Sequence, residues 1–394
     1  CDQVVQYVPK YDIFVWIQQL TEGGGGTPGA YRLAAATSSE ILKNNGDTKA
    51  WTSWLLTPEE MGLVHASQFD RPDMSVGNNN LYIGWDVACP TKPAVQGCIS
   101  GREVIRVPLS QIKLAGSTLN FRYLIDPSFD AAAWGNSFTQ DTGNEAFWEG
   151  QNGTSSLNVF SWKEGSNTIN ISKDIPLTNW VVNFAGQLSK TNAIIASPGH
   201  VPSVAPPPIL GGETTPATPD WLFRASAQWV SGATRAGNKI WFAWNAAPNG
   251  NFLQPYIEMV ELDISGGFSK VQQVQIWNPV FAFGLPSLST NACTNEIGLS
   301  LAYGGGADYP NHAVGFWGDF LVYTTTPGNV TAANYGDYVT IRRNYTPDLK
   351  GAFFDAFGYA LQNAGSSGGA TLPPSQVNVD VHYVVFGRGG ACSK

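Results

Sequence analysis

Three arginines and a handful of acids hold most of the chemistry this chain can offer. Arg71 stands in "FDRPDMSV", Arg224 in "FRASAQWV" and Arg342 in "DYVTIRR", each in a stretch that alternates like a strand. A guanidinium binds carboxylate or sulfate through two parallel hydrogen bonds, so three of them around one opening would suit an anionic guest such as a uronate, sialate or sulfate. Asp73, Glu145, Asp337 and Tyr338 are expected near them. With Glu149 these acids offer carboxyl pairs for general acid–base work. The distance between two carboxyls decides a glycosidase mechanism, and spacing along a chain does not supply it. A local arrangement competes with the shared one: Asp70 or Asp73 beside Arg71, and Asp337 near Arg342, would cancel the charges strand by strand.

Other chemistry is poorly supported. "GGGTPG" at 24–29 fits G-x-G-x-x-G, but no helix cap or βαβ setting follows, so it reads as a hairpin loop. There is no H-E-x-x-H, G-x-S-x-G or C-x-x-C. His65, His200, His312 and His382 are scattered, and His382 in "VDVHYVVF" alternates like a structural strand residue. Asn- and Asp-rich turns such as "GNNN" and "GGGADYPN" could hold Ca²⁺ through oxygen ligands. No other cofactor is expected.

The elements that must position these groups are strands. "IFVW", "LYIGW", "LNVFSW" and "KIWFAW" repeat one style, with weaker copies in "IGLSLAY" and "FFDAFGYAL". Each is short, rich in β-formers and bounded by Gly, Asn or Ser. Candidate strands precede and follow every copy, giving six units of three or four antiparallel strands. That pattern predicts an all-β fold, a six-bladed β-propeller spanning residues 1–394 as one domain; five or seven blades stay open because the repeat is degenerate. The Pro-rich stretch 197–220 reads as a long interblade loop, and "VVQYV" is expected to help close the ring against "VDVHYVVFGR". Within "FDRPDMSV", alternation puts Pro72, Met74 and Val76 on one face and Arg71, Asp73 and Ser75 on the other, toward the channel mouth. "GNNN" would be the hairpin turn into "LYIGWD". "TPEEMGLVH" at 57–65 is the best helical turn, with Thr57 as its cap. Trp16, Trp85, Trp162 and Trp244, at one repeat position, are expected to pack between blades.

Composition agrees. Of 394 residues, 43% are apolar and only 13% charged, against roughly 25% in ordinary soluble domains. The net charge of −8 argues against nucleic acid and anionic membranes as partners. No run of apolar residues is long enough to span a membrane. Cys89 and Cys98 flank the turn-rich "PTKPAVQG" and are expected to form a disulfide. Cys1, Cys293 and Cys392 remain; Cys1 resembles the lipidated cysteine of a processed lipoprotein, and a Cys1–Cys392 bridge would explain it equally well. This cysteine usage points to an extracellular, periplasmic or cell-surface protein. Asn152, Asn170, Asn329 and Asn344 lie in glycosylation sequons.

"FDRPDMSV", "LFRASAQW" and "GDYVTIRR" resemble the blade-opening strands of sialidase-superfamily propellers and related secreted propellers. The resemblance implies arginines from separate blades holding a carboxylate, a Tyr–Glu nucleophile and an Asp acid/base. The family's Asp-box, Ser-x-Asp-x-Gly-x-Thr-Trp, is approached only by Thr139-Gln140-Asp141-Thr142-Gly143, with Glu145 and Ala146 where Thr and Trp belong. Two functions follow. One is a non-catalytic extracellular binding or assembly module, for glycans or for copies of itself. The other is a carbohydrate-active enzyme, a glycoside hydrolase or polysaccharide lyase, working at the channel mouth. Arg71, Asp73, Glu145, Arg224, Asp337, Tyr338 and Arg342 are the ligand-binding candidates of both.

Overall fold

A computed structural model describes residues 2–20, 29–65, 67–89, 96–114, 116, 118–126, 137–181, 230–252, 254–279, 281–305, 308–319, 321–323, 339–346, 352–363 and 377–388. Strands dominate these residues. The first sheet runs β1 (Gln3–Val8), β2 (Ile13–Leu20), β3 (Ala30–Thr37) and β4 (Thr52–Leu56). The second is β5 (Gln68–Val76), β6 (Asn80–Ala88), β7 (Gly101–Pro108) and β8 (Arg122–Asp126). The third holds β9 (Glu145–Asn152), β10 (Ser156–Lys163) and β11 (Asn170–Pro176). A fourth follows with β12 (Val230–Ala236), β13 (Lys239–Ala246), β14 (Tyr256–Asp263) and β15 (Ser269–Ile276). The fifth is β16 (Phe281–Thr290), β17 (Ile297–Gly305), β18 (Asp308–Phe316) and β19 (Leu321–Tyr323). The last described sheet is β20 (Thr340–Asn344), β21 (Phe353–Asn363) and β22 (Val377–Gly387). In every sheet each strand neighbours the next one in sequence. Such up-and-down blades make this an all-β fold of the propeller class.

The chain divides into two compact units, residues 1–150 with 158–173, and residues 151–157 with 174–394. In the first unit, Val15, Ile17, Leu33, Phe69, Leu81, Ile83, Trp85 and Ile105 belong to one buried cluster shared by the first two sheets. A second cluster joins Tyr82 and Val104 to Phe138, Trp148, Phe160 and Trp162. In the second unit, Trp241, Met259, Leu288 and Leu299 pack the fourth sheet on the fifth, and Phe316, Ile341 and Phe354 pack the fifth on the sixth. Central strands such as "LYIGWDVA" are buried on both faces and read as near-continuous apolar runs.

Two expectations change. Trp85, Trp162 and Trp244 are buried, but Trp16 is not in the core: alternation along β2 sends Val15 and Ile17 inward and leaves Trp16 half-buried, its Nε1 donating to Gln3 Oε1 at 3.0 Å. The turn at 57–65 is a 3₁₀ turn, Glu59–Met61, entered through Pro58, and Thr57 does not cap it with its side chain. Among the described residues the α-helices are α1 (Ser38–Lys43), capped by the Thr37 side chain on the Glu40 N–H, and α2 (Leu109–Leu114). Cys89 and Cys98 do form a disulfide, with Cα atoms 5.8 Å apart. Cys293 is disulfide-bonded as well. The Cys1–Cys392 bridge falls on residues outside those described. Replacing both Cys89 and Cys98 by Ser should destabilise the chain by about 2–3 kcal/mol through loop-closure entropy, read as a lower denaturation midpoint. A midpoint unchanged in non-reducing buffer would refute this.

The Pro-rich stretch 197–220 and the "GGGTPG" loop up to residue 28 lie outside the described residues. Of the sequons, Asn344 is buried with its Nδ2 donating to Asp355 Oδ1 at 2.7 Å, whereas Asn152 and Asn170 are exposed.

Candidate functional site

Strand β5 does not run straight. Its pairing with β6 slips between Asp70, opposite Asp86, and Asp73, opposite Gly84, so Arg71 and Pro72 together face the single residue Trp85. Proline has no N–H to give to a ladder, and a bulge is where a sheet tolerates it. Arg71 takes φ of 52°, in the left-handed region where a non-glycine residue is strained. Strand β16 repeats the device. Leu285 has φ of 53° before Pro286, and the slip there lies between Gly284 and Ser287. "DRPDMS" and "GLPSLS" are thus two copies of one kinked strand.

The bulge corrects the strict alternation expected for 69–76. Phe69 and Met74 are five residues apart yet share one core, because the extra residue resets the parity. Ser75 does not face an open mouth: it is buried, and its hydroxyl donates to the Thr139 carbonyl at 2.7 Å. The "GNNN" turn is as expected, with the Gly77 N–H on the Asn80 carbonyl at 2.8 Å. The Asp-box-like stretch also forms a tight turn. Asp141 and Gly143 have positive φ, and the Asn78 N–H donates to the Gly143 carbonyl at 2.7 Å.

Around the bulge the sheet carries a row of charge. Arg71 Nε lies 3.9 Å from Asp70 Oδ2, with a quarter of the Arg71 side chain and half of the Asp70 side chain exposed. Asp70 stands opposite Asp86, a like-charge pair that alone would be unfavourable. Arg102, opposite Asp86 on β7, relieves it with Nη1 3.0 Å from Asp86 Oδ1, both side chains being buried. Gly84 makes room for this pair: a Cβ there would come within 2.9 Å of the Phe138 ring and 3.1 Å of Arg102 Nη2. Asp73 Oδ2 accepts the Phe138 N–H at 2.7 Å. Tyr31, stacked on Phe69, has its hydroxyl pushed well up, first by burial and then by the charges of Asp70 and Asp86.

Two further acids in this unit are shut away. Glu103 accepts the Trp85 indole N–H at 3.1 Å, and burial raises its pKa to about 8. Glu149 is also fully buried and is pushed far above the ordinary carboxyl range by loss of water. Glu145 opens β9 and is half-buried. In the second unit, Arg342 on β20 stands opposite Asp355 and donates from Nη1 to its neighbour's carbonyl, Ile341 O, at 2.8 Å. Arg224, Asp337 and Tyr338 lie outside the described residues. The structure therefore brings Arg71 and Asp73 to one bulge and sets Arg342 in the other unit. Among the described residues no cluster of three or more His, Cys, Asp or Glu is arranged for a metal ion.

The Asp86–Arg102 pair and the protonated Glu103 were not singled out by sequence. A signal existed: "GREVIRVP" sets three charged residues, Arg102, Glu103 and Arg106, in one buried strand, with Arg102 and Glu103 opposite the "WD" of "LYIGWD". The second unit holds a polar cluster of its own. His312 is buried with Nε2 2.8 Å from Ser300 Oγ, and its ring stacks on that of His382 at 6.2 Å. Burial first, and then the neighbouring His382, lower the His312 pKa to about 4.

No protein-family model matches this chain, and no curated protein does. Solved structures match in fold. A protein of unknown function from Dyadobacter fermentans aligns over 98% of this chain and 94% of its own, with 10% identity and a TM-score of 0.50. A Trypanosoma rangeli sialidase aligns over 98% of this chain with 9% identity and a TM-score of 0.46. This chain spans about half of that sialidase, 54% of its length. A neuraminidase-like protein of a flat-faced bat isolate aligns over 77% of this chain and 69% of its own, with 9% identity and a TM-score of 0.39. The similarity is one of fold alone.

Proposed function

We propose that this chain is a non-catalytic, extracellular or surface-attached binding module that takes a hydroxyl-rich glycan at the β5 bulge. The observation that carries the reading is Arg71, held at positive φ with its side chain part-exposed beside the exposed Asp70. Guanidinium and carboxylate side by side present donors and acceptors in the pattern that sugar hydroxyls satisfy. The buried Asp86–Arg102 pair beneath stiffens the platform. Asp70, Asp73 and Asp86 outnumber Arg71 and Arg102 here, so a neutral sugar suits this patch better than the anionic guest three converging arginines would hold. Glu103 and Glu149, whose carboxyl pKa values burial raises, have no exposed surface and cannot meet a substrate. The disulfides suit an oxidising compartment, and no helix among the described residues is long and apolar enough to cross a membrane.

A panel of neutral and anionic polysaccharides tests the reading. Binding without turnover is expected, and Arg71→Ala should weaken it about tenfold or more with an unchanged melting temperature. Turnover of any glycan would establish the carbohydrate-active alternative. A variant that loses stability and keeps affinity would make Arg71 structural.

A further inference from the structure

We propose that β22 is a self-association edge, through which two copies of this chain pair antiparallel about a two-fold axis. Strand β22 pairs along its whole length with β21, from Phe353 opposite Gly387 to Asn363 opposite Val377. On its other side no strand is paired among the described residues, and its sheet has three strands where the two before it have four. Alternation sends His382, Val384 and Phe386 toward the core and sends Val379, Val381, Tyr383 and Val385 outward. These four are 56%, 67%, 57% and 44% exposed, and Phe357 extends the stripe by stacking on Tyr383 at 4.8 Å.

Soluble proteins blunt such edges with lysines, prolines, bulges or short strands. Three other outer strands do so: β15 carries Lys270, β8 carries Arg122, and β19 has only three residues. Strand β22 has 11 residues, with no proline, no lysine or arginine, and no slip in its register. On a chain of net charge −8, its one acidic group is Asp380.

The occupant such an edge selects is extended, apolar and uncharged, and the strand itself has that character. In an antiparallel register centred on His382, Val381 faces Tyr383 of the second copy and Val379 faces Val385 of the second copy. Aromatic–β-branched and β-branched pairs of this kind are favourable cross-strand neighbours. Asp380 would face Val384 of the second copy, so the two carboxylates are not opposed. Such an interface is isologous and closes at two copies, unlike a head-to-tail contact.

Sedimentation equilibrium of the full chain provides the test. The wild type should be a dimer that dissociates on dilution. Val381→Lys and Val379→Lys, both at exposed positions, should each be monomeric with unchanged circular dichroism and a melting temperature that no longer rises with protein concentration. Hydrogen exchange at the amides of 377–387 should slow as protein concentration rises. Arg71→Ala should leave the dimer intact, which separates this inference from the glycan reading. A wild type that stays monomeric, lysine variants that stay dimeric, or open-ended polymers would each overturn it.

Discussion

Arg102→Ala should destabilise the folded chain by about 3–5 kcal/mol, because it leaves the Asp86 carboxylate buried without its cation. Both side chains are almost wholly removed from water, and their contact is 3.0 Å. The Ala side chain is also too small to fill the space beside the Phe138 ring, which the guanidinium carbon approaches to 5.8 Å from its centroid. Replacing both partners together, as Arg102→Met with Asp86→Leu, should cost much less than the single change, since a well-packed apolar pair needs no desolvation of charge. Urea denaturation of the single and double variants measures the difference. Equal losses in both would show that the ion pair is not what holds these strands.

Stability should fall as the pH rises from neutrality to about 9. A carboxyl whose pKa is raised by folding binds its proton more tightly in the native state. Its contribution is complete below the ordinary value near 4.5 and is lost as pH climbs through the folded value, about 8 for Glu103. Glu149 is shifted in the same direction by burial. Each such carboxyl tilts the stability curve by roughly 1.4 kcal/mol per pH unit across its window. His312 acts oppositely. Its pKa is lowered to about 4, so its contribution is complete above about 6.5 and is lost as pH falls toward 4. Between about 4.5 and 6.5 the two effects offset in part, and above 6.5 the acids act alone. Glu103→Gln keeps an oxygen to accept the Trp85 indole N–H and has no proton to lose. It should flatten the alkaline limb and raise the melting temperature at pH 9 relative to wild type. An unchanged slope would show that Glu103 is not carried protonated in the fold.

The fold class was legible because strand periodicity is local. "LYIGWD" and "KIWFAW" carry enough β-branched and aromatic residues to form strands whatever lies around them, and both do. The disulfide was equally local. Trp16 shows the limit: four tryptophans at one repeat position look alike, and only the parity of each strand against its neighbours decides which are core. The bulge at Arg71 was beyond simple alternation. Pro72 was its one visible mark, and its meaning emerged from the matching Leu285–Pro286. Arg102 was missed because its role depends on Asp86, sixteen residues away on another strand and directly opposite in register. Convergence of Arg71, Arg224 and Arg342 is a long-range property of this sort, and strand parity alone does not supply it.

Gly358 ties the two halves of one buried cluster together across time as well as space. A Cβ at this position would fall 2.2 Å from the His312 ring, so the imidazole occupies the volume that any other residue would need. Neither position is free to drift alone. A lineage that keeps histidine at 312 is confined to glycine at 358, and one that gains a side chain at 358 must first have given up the ring, and with it the bond to Ser300. Joint variation at 312 and 358 in more distant descendants of this chain would be the trace of that exclusion.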